Sequence, residues 1–510
     1  MNNILPQQSF IKQEIFDHLI YPLSVKLDDN IIIQLFRKLH FMSSIDYKIS
    51  IDDWLKQSVA FINGFTEKEA IILFNTYKVV SFEIESSNLF QKKQDNKNTV
   101  DVRYFGLFFA LQLYLQKNRL SHNVDLNDIN SYNVSINQIT ILSPISSPRT
   151  KQNSLKQSSA NLSEVGSMVS FVKNNIKLLL RLIATDIHNS ETQLNSNEFN
   201  TLEFFFRFKQ NKKGLSSLAP FFMNFSPTTK VSIEKISEWL SSFINSNQSD
   251  SDEFTVVIKN LSKCLTVKED ITGKSIKVIN CEDSQIFIDS VICNLKISNC
   301  SNCIIYCSAI EKFTTIENVK NSSICVATNF LKIGSCLDCK INAFCSQEPV
   351  LYGDNKNILI GPHNVSYEGL MKQISLSKIY SNQKLDMILT PIIMNNLTGN
   401  NLNTSTSTKS HYDILLPKDF TQMITPFNKD NNQSFYLTPK EYTKTIIEHE
   451  NNLINLQKSI NDNNLNEQQE KNLHEAIQGY FKEWLQASGK LKIICDIVKV
   501  IEVTDNEENM

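Results

Sequence analysis

Asn280-Cys-Glu-Asp-Ser284, Asn299-Cys-Ser-Asn-Cys303, Asn318-Val-Lys-Asn-Ser322 and Ser335-Cys-Leu-Asp-Cys339 are four versions of one short phrase. Each is followed by an alternating apolar run: Ile286 and Ile288, Ile304 and Tyr306, Ile324 and Val326, then Ile341. Asn260-Leu-Ser-Lys-Cys264 is a weaker first copy, and Gly353-Asp-Asn-Lys-Asn357, followed by Ile358 and Ile360, is a last one. The second position of each phrase falls at Leu261, Cys281, Cys300, Val319, Cys336 and Asp354, at intervals of 20, 19, 19, 17 and 18 residues. A period near 18, with two or three short alternating strands per copy, is the mark of a solenoid. One copy cannot bury its apolar face alone, but stacked copies share a continuous core. The stretch is expected to form a right-handed parallel β-helix of about six rungs.

The cysteines follow the repeat. Ten of the eleven lie between Cys264 and Cys345, and Cys495 stands apart. An odd number without a secretion signal argues against a disulfide framework. At equivalent turns of successive rungs, a small and easily buried side chain stacks on the one below. Cys300-x-x-Cys303 and Cys336-x-x-Cys339 also offer four thiolates, a complete set for zinc. The two pairs lie two rungs apart, however, about 10 Å at about 4.8 Å per rung. Zn–S bonds of about 2.3 Å do not span that gap. Cys300, Cys303, Cys336 and Cys339 therefore read as β-helix core, and no metal or cofactor is expected.

Outward from the repeat, the first 245 residues read mainly as helices. Thr66 and Glu69 make a capping box ahead of Ala70 to Leu73. Asp101–Leu120 and Ser163–Ile187 read as buried helices, Phe204, Phe205 and Phe206 as part of a third, and Ser232–Asn245 as a short amphipathic one. Residues 145–162 read as a disordered loop and 245–252 as a linker. After the repeat, residues 365–385 are expected to leave the β-helix as a short helix over its open end, and 395–410 to be a disordered loop. Thr438-Pro-Lys-Glu441 opens a helical hairpin over 438–488. Its stripes, Ile446, Leu453, Leu456 and Ile460 against Leu473, Ile477, Phe481, Trp484 and Leu485, are expected to pack on each other, with pairing between chains as a route to a homodimer. The fold class is thus a multidomain α + β chain: an α-helical domain over 1–245, a β-helix over 255–370, and a C-terminal region over 371–510.

Composition narrows function by exclusion. With 51 Lys+Arg against 53 Asp+Glu, the chain has no electrostatic footprint for nucleic acid. Its longest apolar run, Tyr104–Leu115, is too short for a membrane span. No phosphate loop, nucleophile elbow or HExxH occurs, and 12 Gly in 510 residues leave little for cradling phosphates. The eight His are scattered. His449 reads as solvated on a charged helix face, and His363 as a structural hydrogen-bonding residue in the Gly-Pro-His-Asn turn.

The repeat, the run Asn321-Ser-Ser-Ile-Cys-Val-Ala-Thr-Asn-Phe-Leu-Lys-Ile-Gly-Ser-Cys336 and the closing Ile360-Gly-Pro-His-Asn-Val-Ser-Tyr367 resemble the tubulin-binding cofactor C domain. That β-helix is shared with the retinitis pigmentosa two protein and cyclase-associated proteins. The flanking regions make the architecture similar to the TBCC domain-containing family, linked to centrosomes, basal bodies and Golgi positioning. The resemblance implies a cytoplasmic, cytoskeletal protein of the centrosome or spindle pole, with tubulin, a small GTPase or other cytoskeletal proteins as partners. Catalytic members of the superfamily are GTPase-activating proteins. They insert an arginine that follows a Gln pair and neutralises charge on the transferring phosphoryl group. Here Asn329 and Phe330 stand for the Gln pair and Lys332 for the finger. Lysine keeps the charge but loses the planar fork, and no arginine follows Arg207 to replace it. The implied function is a non-catalytic adaptor, with GTPase activation through Lys332 as the alternative; Lys332 itself reads as an ordinary exposed strand lysine.

Overall fold

The computed structural model describes residues 9–23, 25–86, 99–120, 153–185, 192–208, 229–246, 254–379, 387–394, 412–423, 425–426, 437–462 and 466–487. The chain forms two compact units, Met1–Pro439 and Lys440–Met510.

Within the first unit, the N-terminal helices are α1 (Gln13–His18), α2 (Asp29–Met42), α3 (Ile51–Phe61), α4 (Glu67–Ser86), α5 (Val102–Leu111), α6 (Leu113–Leu120), α7 (Asn153–Ile183), α8 (Ser196–Asn200) and α9 (Ile233–Ser246). Among the described residues, three short antiparallel pairs tie them: β1 (Ser9–Ile11) with β5 (Phe206–Phe208), β2 (Lys48–Ser50) with β3 (Thr99–Asp101), and β4 (Gln193–Leu194) with β6 (Val231–Ser232). Aromatic rings fill the core: Trp54 meets Phe105 edge-on at 4.7 Å between centroids, and Phe36, Phe65 and Phe109 close around them. Such pairs add about 0.5–1.5 kcal/mol each beyond burial. The capping box forms as expected, with Thr66 Oγ1 accepting from Glu69 N at 3.2 Å and Glu69 Oε2 accepting from Thr66 N at 3.0 Å.

Three helix expectations need correction. Residues 153–162 are the first turns of α7 rather than loop; they have helix-forming Leu, Lys, Gln and Ala but no apolar stripe for a periodicity reading to detect. Residues 101–120 are two helices broken at Gln112, because the Gln112 side chain turns to other partners: Oε1 accepts from Tyr21 N, and Nε2 donates to Leu19 O and Phe108 O. Phe204 ends a 3-10 turn, whereas Phe206 begins β5.

The repeat forms a parallel β-solenoid of about six turns over 255–362. Its strands are β7 (Thr255–Lys259), β8 (Leu265–Glu269), β9 (Ser275–Ile279), β10 (Gln285–Ile292), β11 (Leu295–Ser298), β12 (Ile304–Glu317), β13 (Ser323–Gly334), β14 (Leu337–Cys345), β15 (Val350–Tyr352) and β16 (Lys356–Pro362). In-register pairing stacks like on like. Ile258, Val278, Ile297, Ile316, Ile333 and Leu351 form one inward column, and Ile286, Ile305, Ile324, Ile341 and Ile360 another. Each such side chain is buried, worth about 1.5–3 kcal/mol.

The corners explain the phrase that sets the period. Asn260 and Lys263, Asn280 and Asp283, Asn299 and Asn302, Asn318 and Asn321, and Ser335 and Asp338 all have left-handed backbone, φ from 46° to 57°. Asn and Asp tolerate that region best among side-chain-bearing residues. Next to them, thiols act as hydrogen-bond donors: Cys300 to Ser298 O at 3.4 Å, Cys303 to Ser301 O at 3.2 Å, Cys336 to Gly334 O and Cys339 to Leu337 O, both at 3.3 Å. Where Ser284 and Ser322 occupy the same position, their hydroxyls donate to the equivalent carbonyls at 2.7 Å. A site that takes thiol or hydroxyl alike uses a protonated donor, the opposite of a metal-bound thiolate. Among the described residues, no group of three or more His, Cys, Asp or Glu is placed to hold a metal ion.

After the solenoid, α10 (Leu370–Leu376) does not cover the open end. Leu370 and Ile374 instead pack with Val365 and Tyr367 on the outer faces of Phe287, Tyr306, Cys325 and Phe344. Bulky aromatics at these outward positions need a cover along the side. The end is closed by β17 (Ile392–Ile393), β18 (Tyr412–Ile414) and Ile388, which joins the inner core. His363 is buried in the closing turn; its Nδ1 accepts from Val365 N at 3.4 Å and its carbonyl accepts from Thr438 Oγ1 at 2.8 Å. Thr438, expected as a helix cap, thus donates to the solenoid.

The second unit contains α11 (Lys440–Asp462) and α12 (Glu467–Ala487). Asn466 and Gln469 open α12 with a reciprocal box, at 2.9 and 3.0 Å. The two stripes do not cover one another as expected: Leu453, Leu456, Ile477 and Phe481 are each more than half exposed. Spacing tells which face of a helix is apolar, not what it meets. The side chains of His449, Ile460, Trp484 and Leu485, and residues 395–410, lie outside the described residues. No described helix is long and apolar enough to cross a membrane.

Candidate functional site: a lysine column on the solenoid face

The register brings Lys277, Lys296, Thr315 and Lys332 into one outward column, one residue per rung, on β9, β11, β12 and β13. Val257 precedes them and Val350 follows. Three cations rising up one face would ordinarily be solvated. Here the N-terminal helical domain sits on them.

Asp17 and His18, at the end of α1, supply the matching groups. Lys277 Nζ lies 2.6 Å from Asp17 Oδ2, and Lys296 Nζ lies 2.8 Å from Asp17 Oδ1. His18 Nδ1 lies 2.8 Å from Thr315 Oγ1, with its ring stacked on Phe313 at 6.1 Å. Lys332 Nζ donates to the carbonyls of Ile20 at 3.0 Å and His18 at 3.2 Å, and faces the rings of Tyr21 and Tyr352 at 5.0 and 5.2 Å. Tyr352 in turn donates to Glu317. Gly334 leaves room for that arrangement, since a Cβ there would overlap the Tyr352 ring.

Lys332 is therefore not an ordinary exposed strand lysine: it is 2% exposed. The alternation of a strand carries no information on what lies on top of it. Phe330 is buried too. With Phe313, Val350 and Met394 it joins the core of the helical domain rather than the solenoid interior. Asn329 lies at the opposite edge, where Nδ2 donates to Glu311 O at 2.5 Å and Oδ1 accepts from Ser346 Oγ at 2.5 Å. The Asn329, Phe330 and Lys332 positions thus hold the fold together from both sides.

Burial dominates the electrostatics. Burial alone would raise the Asp17 carboxyl, but the ammonium groups of Lys277 and Lys296 more than offset it and hold Asp17 well below the usual carboxylate range. Burial pushes His18 down to about 3, against the pull of Asp17 and with the three lysines. Burial also lowers Lys332 to about 8, opposed by Glu317. The charged set is Lys277, Lys296 and Lys332 against Asp17 and Glu317, with His18 neutral. The residues missed by sequence reading, Asp17, His18, Lys277 and Lys296, carry no motif. The alternation of Ile276-Lys277-Val278 and Leu295-Lys296-Ile297 was the available signal that both lysines share a face.

Residues 273–388 match the family model for tubulin binding cofactor C. The match begins a rung later than the repeat and runs through α10 to the turn that closes the solenoid. The chain is 21% identical over 235 residues to TBCC domain-containing protein 1 of Xenopus tropicalis, covering 45% of this chain and 41% of that protein. It is 21% identical over 224 residues to the Danio rerio protein of that name, covering 44% and 37%, and 20% identical to the human one, covering 43% and 38%. The chain thus spans about two fifths of the length of the curated relatives it matches. Among solved structures, tubulin binding cofactor C from Leishmania major aligns at 15% identity with a TM-score of 0.22, over 33% of this chain and 99% of that one. The chain thus carries a region that matches the tubulin binding cofactor C family model, within a longer stretch similar to TBCC domain-containing proteins.

Proposed function

We propose that the chain is a non-catalytic cytoskeletal adaptor that acts in the cytoplasm at the centrosome, spindle pole or a comparable microtubule-organising centre, and in Golgi positioning. Likeness to the TBCC domain-containing proteins supports the cellular role, and the tubulin in the family's name supports tubulin or another cytoskeletal protein as partner. The observation that carries the non-catalytic half is Lys332. A finger must enter the nucleotide site of a partner and meet the charge forming there. Lys332 Nζ is instead bonded to the carbonyls of His18 and Ile20, beneath the chain's own helices. A buried ammonium carrying these bonds cannot reach out unless α1 leaves the face.

Two measurements on the full chain test this reading. A fluorescently tagged chain should gather at a focus beside the nucleus; diffuse signal throughout the cell would remove the adaptor reading. Added to GTP-loaded tubulin or an Arf-like GTPase, the chain should leave the hydrolysis rate unchanged. Stimulation that disappears on Lys332→Ala would replace the non-catalytic reading with GTPase activation.

A further inference from the structure

The turn that closes the solenoid buries more polar atoms than its own residues pair. Asn342, His363 and Asn364 are at most 2% exposed. Among the described residues, Asn342 Oδ1, His363 Nε2 and Asn364 Oδ1 have no hydrogen-bond partner. Buried polar groups in folded proteins are nearly always bonded, to protein or to ordered water.

The remainder of each group is already held. Asn342 Nδ2 donates to Pro362 O at 2.8 Å, and Asn364 Nδ2 donates to Thr421 O at 2.9 Å. Those bonds fix which end of each amide is oxygen and leave both oxygens as acceptors. The backbone is tied as well: Thr438 Oγ1 donates to His363 O at 2.8 Å, and Met423 N donates to Asn364 O at 3.0 Å. Asn342 stands beside Gly361 in the ladder, where a Cβ would lie 3.1 Å from Asn342 Nδ2 and 2.8 Å from Leu415. Glycine there leaves the room that the Asn342 amide uses. The His363 ring meets Tyr306 edge-on at 6.3 Å, and Tyr306, Cys325, Asn342 and Gly361 form one outward column. The imidazole and the Asn342 amide thus share one strip of the outer face.

The histidine tautomer follows from its neighbours. Nδ1 accepts from Val365 N at 3.4 Å, so it carries no proton. Burial lowers the ring to about 4, which leaves it neutral at pH 7. The single ring proton is then on Nε2, and that atom is a donor. One donor and two acceptors select the ligand. A cation would suit the oxygens but meet the Nε2 proton. An anion would take that proton but face two oxygens. Water accepts one bond and donates two, the usual three bonds of a buried water.

We propose that the closing turn binds one structural water, which accepts from His363 Nε2–H and donates to Asn342 Oδ1 and Asn364 Oδ1. It joins β14 to the segment that leaves the solenoid after Pro362. The proposal is independent of the adaptor reading, because it rests on this turn alone.

A crystal structure of the full chain, at a resolution that shows ordered water, tests it. A peak is expected about 2.7–3.2 Å from His363 Nε2 and about 2.5–3.0 Å from both asparagine oxygens. No peak, or a peak bonded to fewer than three of these atoms, overturns the proposal. A peak about 2.3–2.6 Å from the oxygens with Nε2 turned away overturns it too, since that is a hard cation. In solution, NMR of the full chain with 15N-labelled histidine, assigned with His363→Gln, should show His363 as the Nε2–H tautomer at pH 7. An Nδ1–H tautomer or an imidazolium removes the donor from its place and overturns the proposal. The crystallographic arm uses the wild type and stands even if His363→Gln does not fold.

Discussion

Replacing Asp17 by Ala should strongly destabilise the docking of the helical domain on the solenoid. Lys277 and Lys296 converge on this one carboxylate, and their side chains are 14% and 17% exposed. Without it, two ammonium groups remain under the helical domain and lose their shared carboxylate, with the Gln13 side chain 3.4 Å from Lys277 as a weak neutral partner. Removing one partner of a buried ion pair costs about 3–5 kcal/mol, most of it the penalty of the stranded charge. Denaturant unfolding of the full chain, followed by tryptophan fluorescence, measures the loss. The pH dependence identifies its origin. The folded pKa of Asp17 lies below its ordinary 3.8, so its contribution is present above about pH 3.8 and is lost as pH falls below that. The gap between wild type and Asp17→Ala should therefore narrow in acid. If the variant loses less than about 1 kcal/mol at neutral pH, the pair is no stronger than a surface one and the reasoning fails. A second variant separates the stranded charge from lost packing. With Asp17→Leu, Lys277→Met and Lys296→Met together, no charge is left unpaired, and stability should return to near the wild type.

Three further outcomes follow from the same face and its solenoid. Because burial sets His18 at about 3 against 6.5, the unfolded chain binds the proton more readily; stability should fall as pH drops from about 6.5 towards 3, by up to about 4 kcal/mol, and His18→Gln should flatten that slope in acid denaturation curves. Lys332 has the same sense at the other end: its folded pKa near 8 lies below 10.5, so stability should rise between about pH 8 and 10.5. Lys332→Met should reduce the rise, to which Lys78 and Lys340, also lowered by burial, contribute in the same sense, and leave the carbonyls of His18 and Ile20 without that donor, a loss of about 1–3 kcal/mol at pH 7. Cys303→Ser should cost under about 1.5 kcal/mol, because Ser284 and Ser322 hold equivalent corners; loss of folding, or unfolding of the wild type by a chelator, would restore a metal role for the thiols.

The solenoid was legible because its constraint repeats. Each rung must turn through left-handed residues, so Asn and Asp recur; each must stack on its neighbours, so Ile, Val and Cys recur in register. Five or six noisy copies of one physical demand outweigh any single misleading residue. The helical domain offered no such redundancy. Gln112 breaks a helix through contacts with residues 19 and 21, some 90 positions away, and nothing in Asp101–Leu120 announces it. The same holds for α7, whose first turns lack an apolar stripe.

Lys332 shows where a reading by repeats stops. A solenoid column states which residues share a face, and Lys277, Lys296 and Lys332 could be placed together from the period alone. What lies over the face is set by a segment some 260 residues or more away, and a lone Asp-His pair in an unremarkable helix carries no signal for it. The physical consequence is specific to repeats. A solenoid face looks similar every 4.8 Å or so, and the apolar residues around the column, Phe313, Phe330 and Val350, would tolerate a helical domain one rung higher or lower. Asp17 pairing with two lysines, His18 meeting the one threonine and Lys332 finding two carbonyls come together in a single register. A slip of one rung would set His18 against Lys296 or Lys332 and leave buried ammonium groups unpaired, each slip costing several kcal/mol. On that argument the cations of this face mark position: they select one of several nearly equivalent docking sites for the chain's own helices.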